Sequence, residues 1–236
     1  MWKSILILCI SFSGCLAILE TCSADRCQKL APPVAPENPD HLFPSVERLE
    51  AVCPAIRVAF DCILEEFSKC ADQDLEELAT SDNETLVAAS GIILGTKNLM
   101  DDLCDSTTQI HKAYARNIGC IRDTMMAPMT MPLCAFEAKG LYGTYKFGEE
   151  EDEREHHCIV AAHVFACISG DVLEQCGEEA RATLVELLKR TKVLKYGVCT
   201  PQSILDLKTK YIEFLALESE RRIIFEKVFD MKKRRK

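Results

Sequence analysis

The sequence predicts an all-α fold: a disulfide-stapled helical bundle, with duplication into two halves as one reading of its pattern. Three observations lead there. Apolar residues recur at helical spacing through much of the chain, cysteines punctuate those stripes, and one run of three cysteines comes twice. A stripe repeating every three to four residues covers one face of a helix, which must then be buried against a neighbour. Cysteines spaced this way behind a secretory leader read as a framework of bridges.

The leader comes first. Met1-Trp2-Lys3 is a short positive start, and Ser4 to Leu19 is an almost uncharged apolar run followed by small residues. That is the layout of a signal peptide, and the run is too short for a comfortable membrane span. Cleavage after Ala17 defines residues 1–17 as the leader; Ala24 is the alternative end. Parity separates the two. The earlier cut leaves twelve cysteines: Cys22, Cys27, Cys53, Cys62, Cys70, Cys104, Cys120, Cys134, Cys158, Cys167, Cys176 and Cys199. The later cut removes Cys22 and leaves one thiol free or paired with another chain, so parity favours Ala17. No later segment reads as long and apolar enough to span a bilayer, so the expected product is a soluble extracellular protein.

Residues 18–44 form an extended lead-in, with five prolines between Ala31 and Pro44 and no helical period. The cysteine-rich helical domain is expected over 45–200. Ile56, Phe60, Ile63 and Phe67 make one stripe on a helix from about Ser45 to Cys70, which Pro54 is expected to break or kink. A second helix is expected from about Glu84 to Leu103, where small Ala88, Ala89, Gly91 and Gly95 would admit another backbone. A third runs from about Ser106 to Cys120. Met125 to Leu133, with two prolines and four methionines, reads as an irregular connection. Its methionines read as packing filler rather than an adaptable binding surface. Lys139-Gly140 to Phe147-Gly148 reads as a loop.

The later part then echoes the earlier one. Cys53-x8-Cys62-x7-Cys70 is matched by Cys158-x8-Cys167-x8-Cys176, with Phe60 and Phe165 two places before the middle cysteine and Ile63 and Ile168 just after it. A helix follows in each copy and ends near Cys104 or Cys199. Pseudo-repeats over about 50–120 and 155–200 follow from this; the alternative is convergence of two amphipathic helices on similar spacing. Nine residues of helix rotate about 900°, half a turn off face, so Cys53 and Cys62 must bond to different segments. The connectivity stays open at this level.

Thr200-Pro201 is a helix start, a cap residue with proline at the first helical position. It opens a C-terminal amphipathic helix over 201–236 with a basic tail, Lys232 to Lys236. Ile204, Leu207, Tyr211 and Phe214 form its first stripe; Leu217, Ile224, Val228 and Met231 continue it after a phase shift. The far end either docks on the bundle or projects as a partner or membrane-surface helix. The basic cluster also reads as a trimming site of convertase or carboxypeptidase type, with an intact Lys236 as the alternative.

Charge and motifs narrow the function. The net charge is −9, or −10 once residues 1–17 and Lys3 with them are removed, which excludes non-specific nucleic-acid binding. Asn83-Glu84-Thr85 is a sequon in a polar stretch before a helix, so Asn83 is the candidate glycosylation site. His156-His157 follows the acidic run Glu149 to Glu153 but lacks a second histidine at metal-ligand spacing, so no metal is expected. His163 reads as a satisfied core residue. No HExxH, GxSxG or phosphate-binding glycine loop is present in the sequence. No catalytic residues and no cofactor are expected.

Cys53-Pro54, Phe60-Asp61-Cys62, Leu103-Cys104, Tyr114 before Cys120, Phe165-Ala166-Cys167 and the late Cys199 resemble a group of arthropod secreted proteins. These are cysteine-rich helical proteins similar to the 27 kDa hemolymph glycoprotein family, matched over about residues 50–200. The resemblance implies secretion into body fluid, saliva or venom and supplies no catalytic residues. The function expected is that of a non-enzymatic extracellular interaction protein whose partner is another protein or receptor. The alternatives are a carrier of a small apolar ligand or lipid and a propeptide-bearing hormone or toxin precursor.

Overall fold

The computed structural model describes residues 25–30, 43–146 and 153–215. Among them the regular structure is helical and no strand occurs. In chain order the helices are α1 (Asp25–Gln28), α2 (Val46–Ala71), α3 (Leu75–Leu78), α4 (Glu84–Leu103), α5 (Gln109–Met126), α6 (Thr130–Tyr145), α7 (Glu153–Cys176) and α8 (Glu178–Thr191). A π-helical turn, Val193–Val198, leads to α9 (Pro201–Asp206), a second π-helical stretch (Leu207–Tyr211) and α10 (Ile212–Phe214).

Two compact units divide the chain. The first comprises the residues up to Ile118 together with Arg190–Lys192; the second comprises Gly119–Lys189 and the residues from Val193 onward. In the first, α2 starts where Ser45 accepts a hydrogen bond from the Arg48 amide and stops where Asp72 turns left-handed, with φ of 52°. The helix runs without a break through Pro54, where a break or kink was expected. Pro54 is exposed, so its ring faces outward and the helix gives up one backbone hydrogen bond without displacing core side chains. Cys62, Ile63 and Phe67 of α2 pack with Cys27 and Leu75, and Ile93 and Leu94 of α4 cover that cluster. Gly95 meets the expectation of close approach: a β-carbon there would lie 2.5 Å from the Arg190 carbonyl oxygen. Tyr114 on α5 donates a 2.6 Å hydrogen bond to the Pro44 carbonyl, tying the start of the domain to α5.

The connection before α5 shows why the third helix begins later than expected. The Asp105 carboxylate accepts from both the amide and the hydroxyl of Thr107, and this side-chain turn occupies the residues that would have formed a first helical turn. Those bonds also hold the Asp105 carboxyl below its ordinary range. At its other end α5 runs on to Met126, past the predicted limit at Cys120.

In the second unit the expected irregular connection shrinks to the turn Ala127–Met129 between α5 and α6, and α6 takes the place of the expected glycine loop as far as Tyr145; Phe147-Gly148 lie outside the described residues. Pro132 falls within the first turn, where amides have no intrahelical acceptor to lose, and Gly140 and Gly143 are tolerated inside the helix. Three of the four methionines do not fill the core: Met126, at the end of α5, Met129 and Met131 are exposed, and α6 turns Thr130, Cys134, Ala138 and Tyr142 inward instead. Tyr142, Cys158, Ile159, Ala162, Leu207 and Tyr211 form the centre of this core. Gly177, at φ of 84°, supplies the left-handed residue that ends α7. Thr200 caps α9 as expected, in reciprocal hydrogen bonds with Ser203, with Pro201 at the first helical position.

α7 corrects one expectation: an 18-residue stretch of it has a mean hydropathy of 1.4, so the helix is long and apolar enough, by length and composition alone, for a membrane span. Its three cysteines are bonded to other segments of the second unit, and buried Glu155 and His163 lie on it, as in a core helix. The Pro-rich lead-in up to Leu42, the acidic run from Glu149 to Asp152, the leader and the basic tail lie outside the described residues.

Candidate functional site

Five bridges join described cysteines: Cys27–Cys62, Cys53–Cys104, Cys120–Cys176, Cys134–Cys167 and Cys158–Cys199. Cys53 and Cys62 bond to different segments, as their half-turn offset on α2 requires. Cys70 is disulfide-bonded as well. The other ten described cysteines are paired among themselves, so its partner lies outside the described residues, as does Cys22. The connectivity has an order that spacing alone did not reveal. In the second unit, counting from Cys120, the bonds run first to fifth, second to fourth and third to sixth. In the first unit Cys27–Cys62 and Cys53–Cys104 occupy the second-to-fourth and third-to-sixth places, with sequence separations of 35 and 51 against 33 and 41.

Asn83 is exposed, and its side-chain oxygen accepts a 3.3 Å hydrogen bond from the Leu86 amide at the start of α4. His156 is half-buried with its ring 4.5 Å from that of Tyr142, and His157 is exposed. Among the described residues, Cys134, Cys167 and Asp171 lie close enough together to hold a metal ion. Their two sulfurs are bonded to each other, so neither is the thiolate a metal needs and the trio supplies one carboxylate.

The chemistry that the sequence did not reveal is a cluster in the second unit, with His163 and Tyr211 buried and Glu137 at the surface. His163 Nδ1 lies 3.3 Å from the Tyr211 hydroxyl, and its Nε2 lies 3.6 Å from Glu137 Oε1. Tyr211 is fully buried in the core and packs edge-on to Tyr145, their ring centres 5.2 Å apart. Burial pushes the Tyr211 hydroxyl well above the ordinary tyrosine range, with Glu137 and Tyr145 adding to it. Burial, reinforced by Glu155, raises Tyr145 as well. Beside them Lys146 Nζ and Glu155 Oε2 form a 2.7 Å ion pair, with side-chain exposures of 15% and 9%. A phenol held neutral is a hydrogen-bond group rather than a nucleophile. The cluster therefore acts as a polar strut linking α6, α7 and the C-terminal segment of the second unit. His163 was legible as a core residue from its apolar surroundings; its partners, 26 and 48 residues away, were not.

Compared with family models, curated proteins and solved structures, the chain matches none.

Proposed function

We propose that this chain is a secreted, non-enzymatic interaction protein of an extracellular fluid, of the kind implied by its resemblance to arthropod hemolymph glycoproteins. The observation that carries this reading is the bridge frame. Disulfides persist where thiols are oxidised, and a chain bonded in both units is typical of the extracellular space. The frame fixes the helices, so the surface presented to a partner is held rigidly and binding costs less ordering entropy.

Two processing steps belong to the same reading. The bonded state of Cys70 supports cleavage after Ala17, because that cut retains Cys22 as an intramolecular partner. Exposure of Asn83 supports glycan addition there.

The test is native mass spectrometry of the protein from a secreting cell, without reductant. A mass equal to the chain from Ile18 plus a glycan, with every cysteine oxidised and no further component, is the expected result. A denaturant-releasable addition of a few hundred daltons would replace this reading with that of an apolar-ligand carrier. A disulfide dimer would overturn cleavage after Ala17.

A further inference from the structure

The five described bridges differ in how far solvent reaches them. Cys27–Cys62 and Cys158–Cys199 have both cysteines buried, and Cys53–Cys104 and Cys134–Cys167 each have one, Cys53 at 8% and Cys134 at 1% exposure. Cys120–Cys176 has neither: Cys120 is exposed and Cys176 half-buried. A disulfide sulfur open to solvent can be attacked by a thiolate, whereas a buried one is shielded. The surroundings of the two sulfurs differ as well. Thr124, buried on α5, holds its hydroxyl 3.4 Å from Cys176 Sγ. The same hydroxyl lies 3.3 Å from the side-chain oxygen of Gln175, which accepts its hydrogen bond while the bridge is closed. Cys120 Sγ faces the Gln175 carbonyl oxygen instead, at 3.8 Å. A hydroxyl can donate to a thiolate, and a carbonyl oxygen can only repel one. Negative charge is therefore better held on Cys176 than on Cys120. The hydroxyl also offsets the negative end of α7, whose last residue is Cys176.

We propose that Cys120–Cys176 is a thiol-exchange site, at which a low-molecular-weight extracellular thiol is taken up on Cys120. The incoming thiolate attacks Cys120 Sγ, the sulfur that solvent reaches. A new S–S bond forms there as the Cys120–Cys176 bond breaks, and the electron pair leaves on Cys176 as a thiolate. The Thr124 hydroxyl then turns from the neutral Gln175 oxygen to the charged sulfur, where its hydrogen bond is stronger. A sulfur that holds negative charge better leaves faster, so exposure and electrostatics select the same direction of attack. One disulfide is consumed and one is formed, so no oxidant is required. Return of the Cys176 thiolate onto Cys120 expels the small thiol and closes the bridge again. The second unit keeps its other ties while the site is open. Cys134–Cys167 and Cys158–Cys199 still hold α7 to α6 and to the segment before α9. Only the link from α5 to the end of α7, across 56 residues of chain, is released.

The test incubates the full secreted chain with reduced glutathione as the probe thiol, without denaturant, and quenches early samples with N-ethylmaleimide. Mass spectrometry of non-reduced peptides then locates both labels. Glutathione on Cys120 and N-ethylmaleimide on Cys176 are expected while the other four described bridges remain closed. Earlier opening of any of those four overturns the proposal. So does glutathione on Cys176 with Cys120 alkylated, and so does a Cys120–Cys176 bridge that stays closed until the chain unfolds. Thr124→Val should slow the opening about fivefold, because the leaving thiolate loses its donor. Thr124→Ser, which keeps the hydroxyl, should open at the original rate. An unchanged rate in Thr124→Val would overturn the placement of charge on Cys176. If that variant fails to fold, the positions of the two labels on the unaltered chain still decide the direction of attack.

Discussion

In the first unit α2 turns Arg57, Val58 and Asp61 to solvent. At the matching places of the second unit, counted from Cys62 and Cys167, α7 buries Ala162, His163 and Ala166. Glu50, three residues before Cys53, is exposed, whereas Glu155, three before Cys158, is buried beside Lys146. The cysteines on these helices nevertheless bond in the same order where both partners are described. A disulfide frame fixes where segments meet but not how much of each helix is covered. The second unit therefore encloses its repeat helix on a wider face and builds a polar strut inside, where the first leaves that face to water. A duplicated ancestor whose copies kept their bridges and repacked around them would leave this pattern.

The largest effect that sharpens the comparison is removal of the equivalent bridges. Cys53→Ala with Cys104→Ala, and Cys158→Ala with Cys199→Ala, open loops of 51 and 41 residues. Each should cost about 4 kcal/mol in the chain-entropy account. The corresponding fall in Tm is roughly 10 °C for a chain of this size. Melting of the two variants side by side decides it; a large inequality would show that the two frames are not equivalent.

Next comes the buried ion pair. Lys146→Met removes the ammonium 2.7 Å from the buried Glu155 carboxylate and should cost about 3 kcal/mol, because breaking one side of a buried ion pair is expensive. Glu50→Gln, at the equivalent place in the first unit, should change stability by less than about 0.5 kcal/mol. Denaturant midpoints measured at neutral pH give both numbers.

Much of this architecture was legible in the sequence, and the failures have physical causes. The α2 stripe, the α4 glycine approach and the Thr200-Pro201 start are local or periodic signals, and the structure bears each of them out. Residues 130–145 misled because proline, glycine and methionine all weaken a helical reading. Pro132 is harmless within a first turn, and an apolar environment on one side of α6 outweighs the cost of its glycines. The strut was invisible because Glu137, His163 and Tyr211 meet only through tertiary packing. The order of the bridges was unreadable for the same reason: six cysteines in one repeat permit fifteen pairings, and spacing excludes few of them.

A smaller effect tests the strut itself. Tyr211→Phe removes the hydroxyl beside His163 and should cost about 1 kcal/mol. Val58→His in the first unit adds an imidazole on an exposed face and should be neutral within about 0.5 kcal/mol. If both changes cost the same, the distinction between a wet and a dry repeat helix fails.

The smallest effect is at alkaline pH. Tyr145 and Tyr211 have raised folded-state values, so they favour the folded state below the ordinary tyrosine value of about 10. That contribution is lost as pH climbs above it towards the raised values. Phenolate absorbance should therefore show Tyr145 and Tyr211 ionising late, and both should return to ordinary behaviour in the unfolded chain.

Disulfide mapping by mass spectrometry of non-reduced peptides from the secreted protein tests the central claim most directly. The repeated frame places a first-to-fifth bond in the first unit, so a peptide linking Cys22 to Cys70 should accompany the five bridges already described. Cys70 recovered as a free thiol, joined to a second chain, or bonded across to a cysteine of the second unit would contradict the account.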